Sequence, residues 1–135
     1  MRLIYLLTVV GASSISARPA VAQRDFVQHE RTAVPAESRY EVVQSTLVGR
    51  STYRLDKVVG EVHQLVRRED STMTWQLIAR LKHPDGDPRE PGRVNYQLFI
   101  SGIANRHTFL VNVNNGATWQ LAVTKDEVLV WEPIS

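Results

Sequence analysis

Two arginines, two tyrosines and two tryptophans have the most chemistry to offer in this chain. Arg50 and Arg106 carry guanidinium forks that can grip a carboxylate or a phosphate through two parallel hydrogen bonds. Tyr40 and Tyr96 each precede one of them by ten residues, so Tyr40 with Arg50 and Tyr96 with Arg106 form a candidate ligand site that occurs twice. Trp75 and Trp131 offer flat faces on which a sugar ring could stack, or two indoles for a core. The histidines, His29, His63, His83 and His107, are scattered, and no pair has the i, i+2 strand or i, i+4 helix spacing of metal ligands. Asp85, Asp87 and Glu90 could face a calcium ion, but Pro84 and Pro88 interrupt the run and the other positions of a calcium loop are absent. No serine lies in a Gly-x-Ser-x-Gly elbow. The absence of cysteine excludes thiol catalysis, thiolate metal sites and disulfides. No catalytic residue, metal site or cofactor is therefore expected, and an unrecognised Ser–His–Asp arrangement is the only enzymatic reading left open.

The elements that must carry these residues come in two copies. Sliding the sequence by 56 positions lays residues 40–78 on 96–134 without a gap. The identical pairs are Tyr40/Tyr96, Ser45/Ser101, Arg50/Arg106, Thr52/Thr108, Gly60/Gly116, Gln64/Gln120, Leu65/Leu121, Asp70/Asp126, Trp75/Trp131 and Ile78/Ile134. Unrelated segments of this length and ordinary composition would share about two. Each copy reads as four short strands rich in Val, Leu, Tyr, Phe, Trp and Thr, at 40–45, 51–56, 61–67 and 73–81, then at 96–101, 107–112, 117–123 and 128–132. No window favours a helical stripe over strand alternation.

Alternation predicts one apolar face per copy. Tyr53 and Leu55 share it with His63, Leu65, Met73, Trp75 and Leu77, and Phe109 and Val111 share it with Trp119, Leu121, Leu129 and Trp131. Between strands two and three, Asp56 and Gly60 match Asn112 and Gly116. Asp and Asn fold their side chains back onto the backbone, and Gly takes a positive φ without steric cost, so these four residues read as a structural turn made twice. A catalytic carboxylate would not survive the exchange of Asp for Asn; a turn does.

The chain opens with Arg2, an apolar run over residues 3–12 and Ala20-Val21-Ala22, the pattern of a signal peptide cleaved after Ala22. The run is short for a membrane span, and an uncleaved anchor is the alternative. Loss of Arg2 and Arg18 takes the 16 basic residues to 14, equal to the 14 acidic ones, which removes any electrostatic case for a nucleic-acid partner. Residues 23–38 read as a flexible or extended arm. One duplicated β domain follows over 39–135, with units at 39–81 and 95–135 and a solvated Pro- and Gly-rich connector at 82–94.

The run Tyr53-Arg54-Leu55-Asp56 with Gly60 and His63, and its counterpart Phe109-Leu110-Val111-Asn112 with Gly116 and Trp119, resembles the blades of bacterial β-propellers of the quinoprotein type. It is also similar to small exported bacterial proteins of unknown function that carry one or two such units. The resemblance implies an all-β fold of four-stranded antiparallel meanders and no activity. Two blades cannot close a propeller. The expectation is a pseudo-twofold β-sandwich or barrel within one chain; blades completed into a propeller by oligomerisation are the alternative. The expected role is an exported, periplasmic or secreted, non-enzymatic binding module for a protein or glycan, with a possible homo-oligomer and membrane contact only during export. The alternatives are an accessory subunit of a cell-envelope assembly that uses an exposed strand edge, and a small hydrolase.

Overall fold

Short β-branched and aromatic runs parted by turns build the strands of the computed structural model, which describes residues 29–31, 34–45, 51–100 and 107–135 and has no α-helix among them. The expected signal sequence, half of the arm (residues 23–28, 32 and 33), Arg50 and Arg106 lie outside the described residues. No helix among those described is long and apolar enough to cross a membrane.

The N-terminal sheet has the order β1 (His29–Arg31), β2 (Tyr40–Ser45), β3 (Thr52–Asp56), β4 (Val62–Arg67) and β5 (Met73–Leu77), all antiparallel neighbours. β1 is a short strand from the arm that pairs with β2. The C-terminal sheet contains β6 (Ala79–Arg80), β7 (Tyr96–Phe99), β8 (Phe109–Asn112), β9 (Thr118–Val123) and β10 (Leu129–Ile134), in the order β6-β10-β9-β8-β7. β6 continues the chain from β5 and crosses to the second sheet, where it pairs parallel to β10. The last expected strand of the first copy is thus split between two sheets.

The two meanders share one pairing register. Tyr40 opposes Asp56, Tyr53 opposes Gln64 and Leu65 opposes Trp75; 56 residues later, Tyr96 opposes Asn112, Phe109 opposes Gln120 and Leu121 opposes Trp131. The turns match as well. The Gly60 N–H donates to Asp56 O and the Gly116 N–H to Asn112 O, both at 2.8 Å, with φ of 74° and 77°. At the β4–β5 and β9–β10 turns, Ser71 and Glu127 take φ of 68° and 61°.

Directly opposed residues on antiparallel strands share a face, so the register sorts the side chains. One face, here called the front, carries Val43, Tyr53, Leu55, Val62 and Ile78 in the N-terminal sheet and Phe99, Phe109, Val111, Thr118 and Ile134 in the C-terminal sheet. The back carries Tyr40, Thr52, Leu65 and Trp75, and correspondingly Tyr96, Thr108, Leu121 and Trp131. The N-terminal sheet buries its front and the C-terminal sheet buries its back, and these two faces form one core of Val43, Tyr53, Leu55, Val62, Ile78, Tyr96, Leu98, Leu110, Trp119, Leu121 and Trp131.

This arrangement corrects two expectations. His63, Leu65 and Trp75 do not share a face with Tyr53 and Leu55, nor do Trp119, Leu121 and Trp131 with Phe109 and Val111. The hairpin pairs Leu55 with Val62 and Val111 with Thr118, so odd positions on one strand align with even positions on the next. A twofold axis between the meanders would bury equivalent residues on both. Here Val43 is fully buried and Phe99 is 49% exposed, whereas Tyr96 is fully buried and Tyr40 is 51% exposed.

Candidate functional site

The expected ligand residues divide along the same line. Tyr40 and Trp75 lie on the uncovered back face of the N-terminal sheet. Arg39 sits 5.1 Å from the Tyr40 ring centre, and Arg54 lies over Trp75 at 5.0 Å, a cation–π contact that leaves the indole half-buried. Tyr96 and Trp131 are closed inside the core at 0% exposure and offer no stacking surface, because the N-terminal sheet and the connector cover the back face that carries them. Tyr40 is also far from Ser51, the described residue next to Arg50 in sequence. Ser51 bonds to Ser45 at the far end of β2, about 17 Å from Tyr40 at the rise of a strand.

The front face of the C-terminal sheet is the other open surface. Phe99 and Phe109 stack there at 6.2 Å between ring centres, beside half-buried Val111, with Ile134 41% exposed. The two open faces thus lie on opposite sides of the stacked sheets.

A polar cluster around Asp87 is not foreshadowed by any sequence motif. Asp87, from the connector, accepts hydrogen bonds from the Tyr96 hydroxyl at 2.6 Å and Asn112 Nδ2 at 2.9 Å, and pairs with Arg80 and Arg89 at 3.1 Å each. Arg80 lies over the rings of Tyr96 (4.8 Å) and Trp119 (4.9 Å) and donates to Gly60 O at 3.3 Å. Burial pushes the Asp87 carboxyl up, but the hydrogen bonds from Tyr96, Asn112 and Arg89 and the Arg80 charge outweigh it and hold it below the usual carboxylate range. The Tyr96 phenol is pushed up, first by burial and then by its bond to Asp87. An ionised acid with both oxygens engaged is a poor base, and a phenol of raised pKa a poor nucleophile, so the cluster acts as a clamp between connector and sheet. The one signal in the sequence was the exchange of Asp56 for Asn112. Asp56 faces a cation: its Oδ2 takes Arg39 Nη2 at 2.8 Å, while its Oδ1 accepts from Val58 N at 3.0 Å. Asn112 keeps the turn bond, from Asn114 N at 2.9 Å, but faces the carboxylate of Asp87 and donates to it.

The connector is thus less solvated than its composition implies. His83 is 2% exposed, packed edge-on to Trp119 at 5.0 Å. Its Nδ1 accepts from Asp85 N at 3.1 Å, which leaves the Nε2 proton to donate to Ile134 O at 3.2 Å. Glu90 is taken up by Arg93 at 2.6 Å and Asp87 by its own partners, and no three His, Asp or Glu side chains converge as a metal site among the described residues. Compared with protein-family models, curated proteins and solved structures, the chain gives no match.

Proposed function

We propose that the chain is an exported, non-enzymatic interaction module built from one duplicated unit, and that it works through the open faces of its sheets. The two meanders are read as neighbouring blades stacked front to back. The shared register, the burial of unlike faces and the parallel β6–β10 pair support this, since stacked copies in one orientation run their equivalent strands in the same direction. The observation that carries the functional reading is the aromatic front face of the C-terminal sheet. Phe99 and Phe109 stand in register with Val43 and Tyr53, which are fully buried in the partner sheet. Export rests on the signal-like first 22 residues. A glycan on Tyr40 and Trp75 is the second reading, favoured by two exposed or half-exposed aromatic rings on one face.

Photo-crosslinking in the producing cell tests the proposal. Benzoylphenylalanine introduced at Phe99 should give a discrete protein adduct on a blot, and the same probe at Glu69, in the exposed β4–β5 turn, should give none. Equal labelling at the two positions counts against a face-specific module. Binding on a glycan array that is lost in Trp75→Ala would favour the second reading.

A further inference from the structure

The interface inside the chain joins a front face to a back face, and it leaves one of each unused. We propose that copies of the chain stack head to tail, with the front face of one C-terminal sheet on the back face of the next copy's N-terminal sheet. The partner is a second copy of this chain, and the inference rests on reading the protein as an interaction module.

Equivalent positions in the two halves support this stacking. Four of the ten identities between the halves, Tyr40/Tyr96, Thr52/Thr108, Leu65/Leu121 and Trp75/Trp131, lie on the back face. In the C-terminal sheet all four are buried; in the N-terminal sheet Tyr40 is 51% exposed and the other three are half-buried. The surface that receives a front face within the chain is thus present a second time and open. The surface that would enter it is present too, because Phe99, Phe109, Val111 and Ile134 repeat the apolar character of Val43, Tyr53, Leu55 and Ile78. Single exposed apolar residues need no explanation, but two stacked phenylalanines with a flanking valine form a contiguous patch.

One contact in the existing interface has its halves waiting on either side of the molecule. A Cβ at Gly60 would meet the Tyr96 ring at 2.8 Å, whereas one at Gly116 would meet nothing within 4 Å. The equivalent of Tyr96 is Tyr40, so an incoming Tyr40 would fill the open space at Gly116. The back face of the N-terminal sheet is more polar than its counterpart, with Arg54 for Leu110, His63 for Trp119 and Gln44 for Ile100. That suits a contact between separate chains, whose interfaces are less apolar than a domain core. The open front carries Glu132 and the open back Arg54, of opposite charge. A front-to-back contact is heterologous, so its repetition closes a ring or runs on as a filament. A propeller-like ring of roughly four to eight blades takes about two to four chains.

Because the chain has no cysteine, the test is clean. Two single variants, Tyr40→Cys and Asn115→Cys (next to Gly116), are purified, mixed and treated with a short bismaleimide. Head-to-tail stacking predicts a product of twice the chain mass in the mixture and little in either variant alone. That product should be lost when Phe99→Lys and Phe109→Glu are added to the Asn115→Cys chain. Light scattering on the unsubstituted protein, which does not depend on the variants folding, should give a multiple of the chain mass. A monomer at 100 micromolar overturns the proposal, as does efficient crosslinking of Tyr40→Cys to itself, which marks a twofold dimer. A monomer that still forms an in-cell adduct of another mass at Phe99 leaves the interaction module standing and removes only the second copy as its partner.

Discussion

Replacing Asn112 by Asp tests the clamp that ties the connector to the C-terminal sheet. Asn112 Nδ2 donates to Asp87 Oδ1 at 2.9 Å and to Pro88 O at 2.8 Å, and the residue is fully buried. The substitution removes both donors and sets a second carboxyl against the first. Two lost hydrogen bonds cost about 1 kcal/mol each. Two carboxylates at this distance repel by about 4 kcal/mol or more at an effective dielectric near 20. The pair can escape by binding a proton, which at pH 7 costs about 4 kcal/mol for a carboxyl that titrates near 3.9 when unfolded. Protonation also restores one donor, so the total penalty at pH 7 should be about 4–5 kcal/mol, a large share of the roughly 5–15 kcal/mol that holds a domain. The new carboxyl has a folded pKa raised above its unfolded value, so the penalty is small below about pH 4 and grows as pH rises towards the folded pKa. Urea unfolding monitored by tryptophan fluorescence at pH 7 and pH 4.5 should show the deficit against the unsubstituted protein shrinking in acid. Asn112→Ala, which loses the bonds without adding charge, should cost about 2–3 kcal/mol at both pH values. A deficit for Asn112→Asp under about 1 kcal/mol at pH 7, or one flat in pH, would refute the clamp.

The unsubstituted protein should itself weaken in acid. Asp87 and Asp56 both have carboxyls held below their ordinary range, Asp56 by the bonds from Arg39 and the turn amides that outweigh its burial. Their contribution is complete above about pH 4 and is lost as pH falls through the lowered folded values, so the urea midpoint should drop most steeply below pH 4. Gly60→Ala should destabilise more than Gly116→Ala in the isolated monomer. Both strain a positive φ, at about 1–2 kcal/mol, but only the first also drives a methyl group into Arg80 and the Tyr96 ring; equal melting temperatures would contradict this. Trp131→Ala should cost roughly 3–5 kcal/mol, while Trp75→Ala should cost about 1 kcal/mol through partial burial and the lost Arg54 contact. Equal losses for the two tryptophans in thermal unfolding would contradict the division of faces.

The positions of strands were largely legible in the sequence because most are short runs rich in β-branched and aromatic residues ended by turn chemistry; β2 begins at Tyr40 and ends at Ser45, where the run itself does. The faces were not. β3 carries Tyr53 and Leu55 on one side, and β4 carries Val62 on that side but Leu65 on the other, so alternation within a strand does not say which sides align. Register settles it, and register depends on how many residues the Asp56–Gly60 turn consumes. The Asp87 cluster was illegible for another reason. Its members stand at positions 80, 87, 89, 96 and 112, and nothing local in a Pro- and Gly-rich connector signals that a carboxylate there will meet a tyrosine and an asparagine from two strands. β1 was missed as a strand because His29-Glu30-Arg31 has no apolar residue, and its place rests on backbone pairing with β2. The tryptophans show how far repetition in sequence can mislead: Trp75 and Trp131 align in sequence, yet one is half-open and the other buried, because the N-terminal sheet buries its front and the C-terminal sheet its back.

Side-chain footprinting of equivalent pairs tests that stacking most directly. In a Phe99→Lys, Phe109→Glu chain, whose charged front opposes the proposed stacking between copies, hydroxyl-radical labelling of Tyr40 is compared with Tyr96, and of Trp75 with Trp131. Front-to-back stacking predicts strong labelling of Tyr40 and Trp75 and protection of Tyr96 and Trp131. Equal labelling within each pair, whether both open or both closed, would place a twofold axis between the sheets and contradict the account.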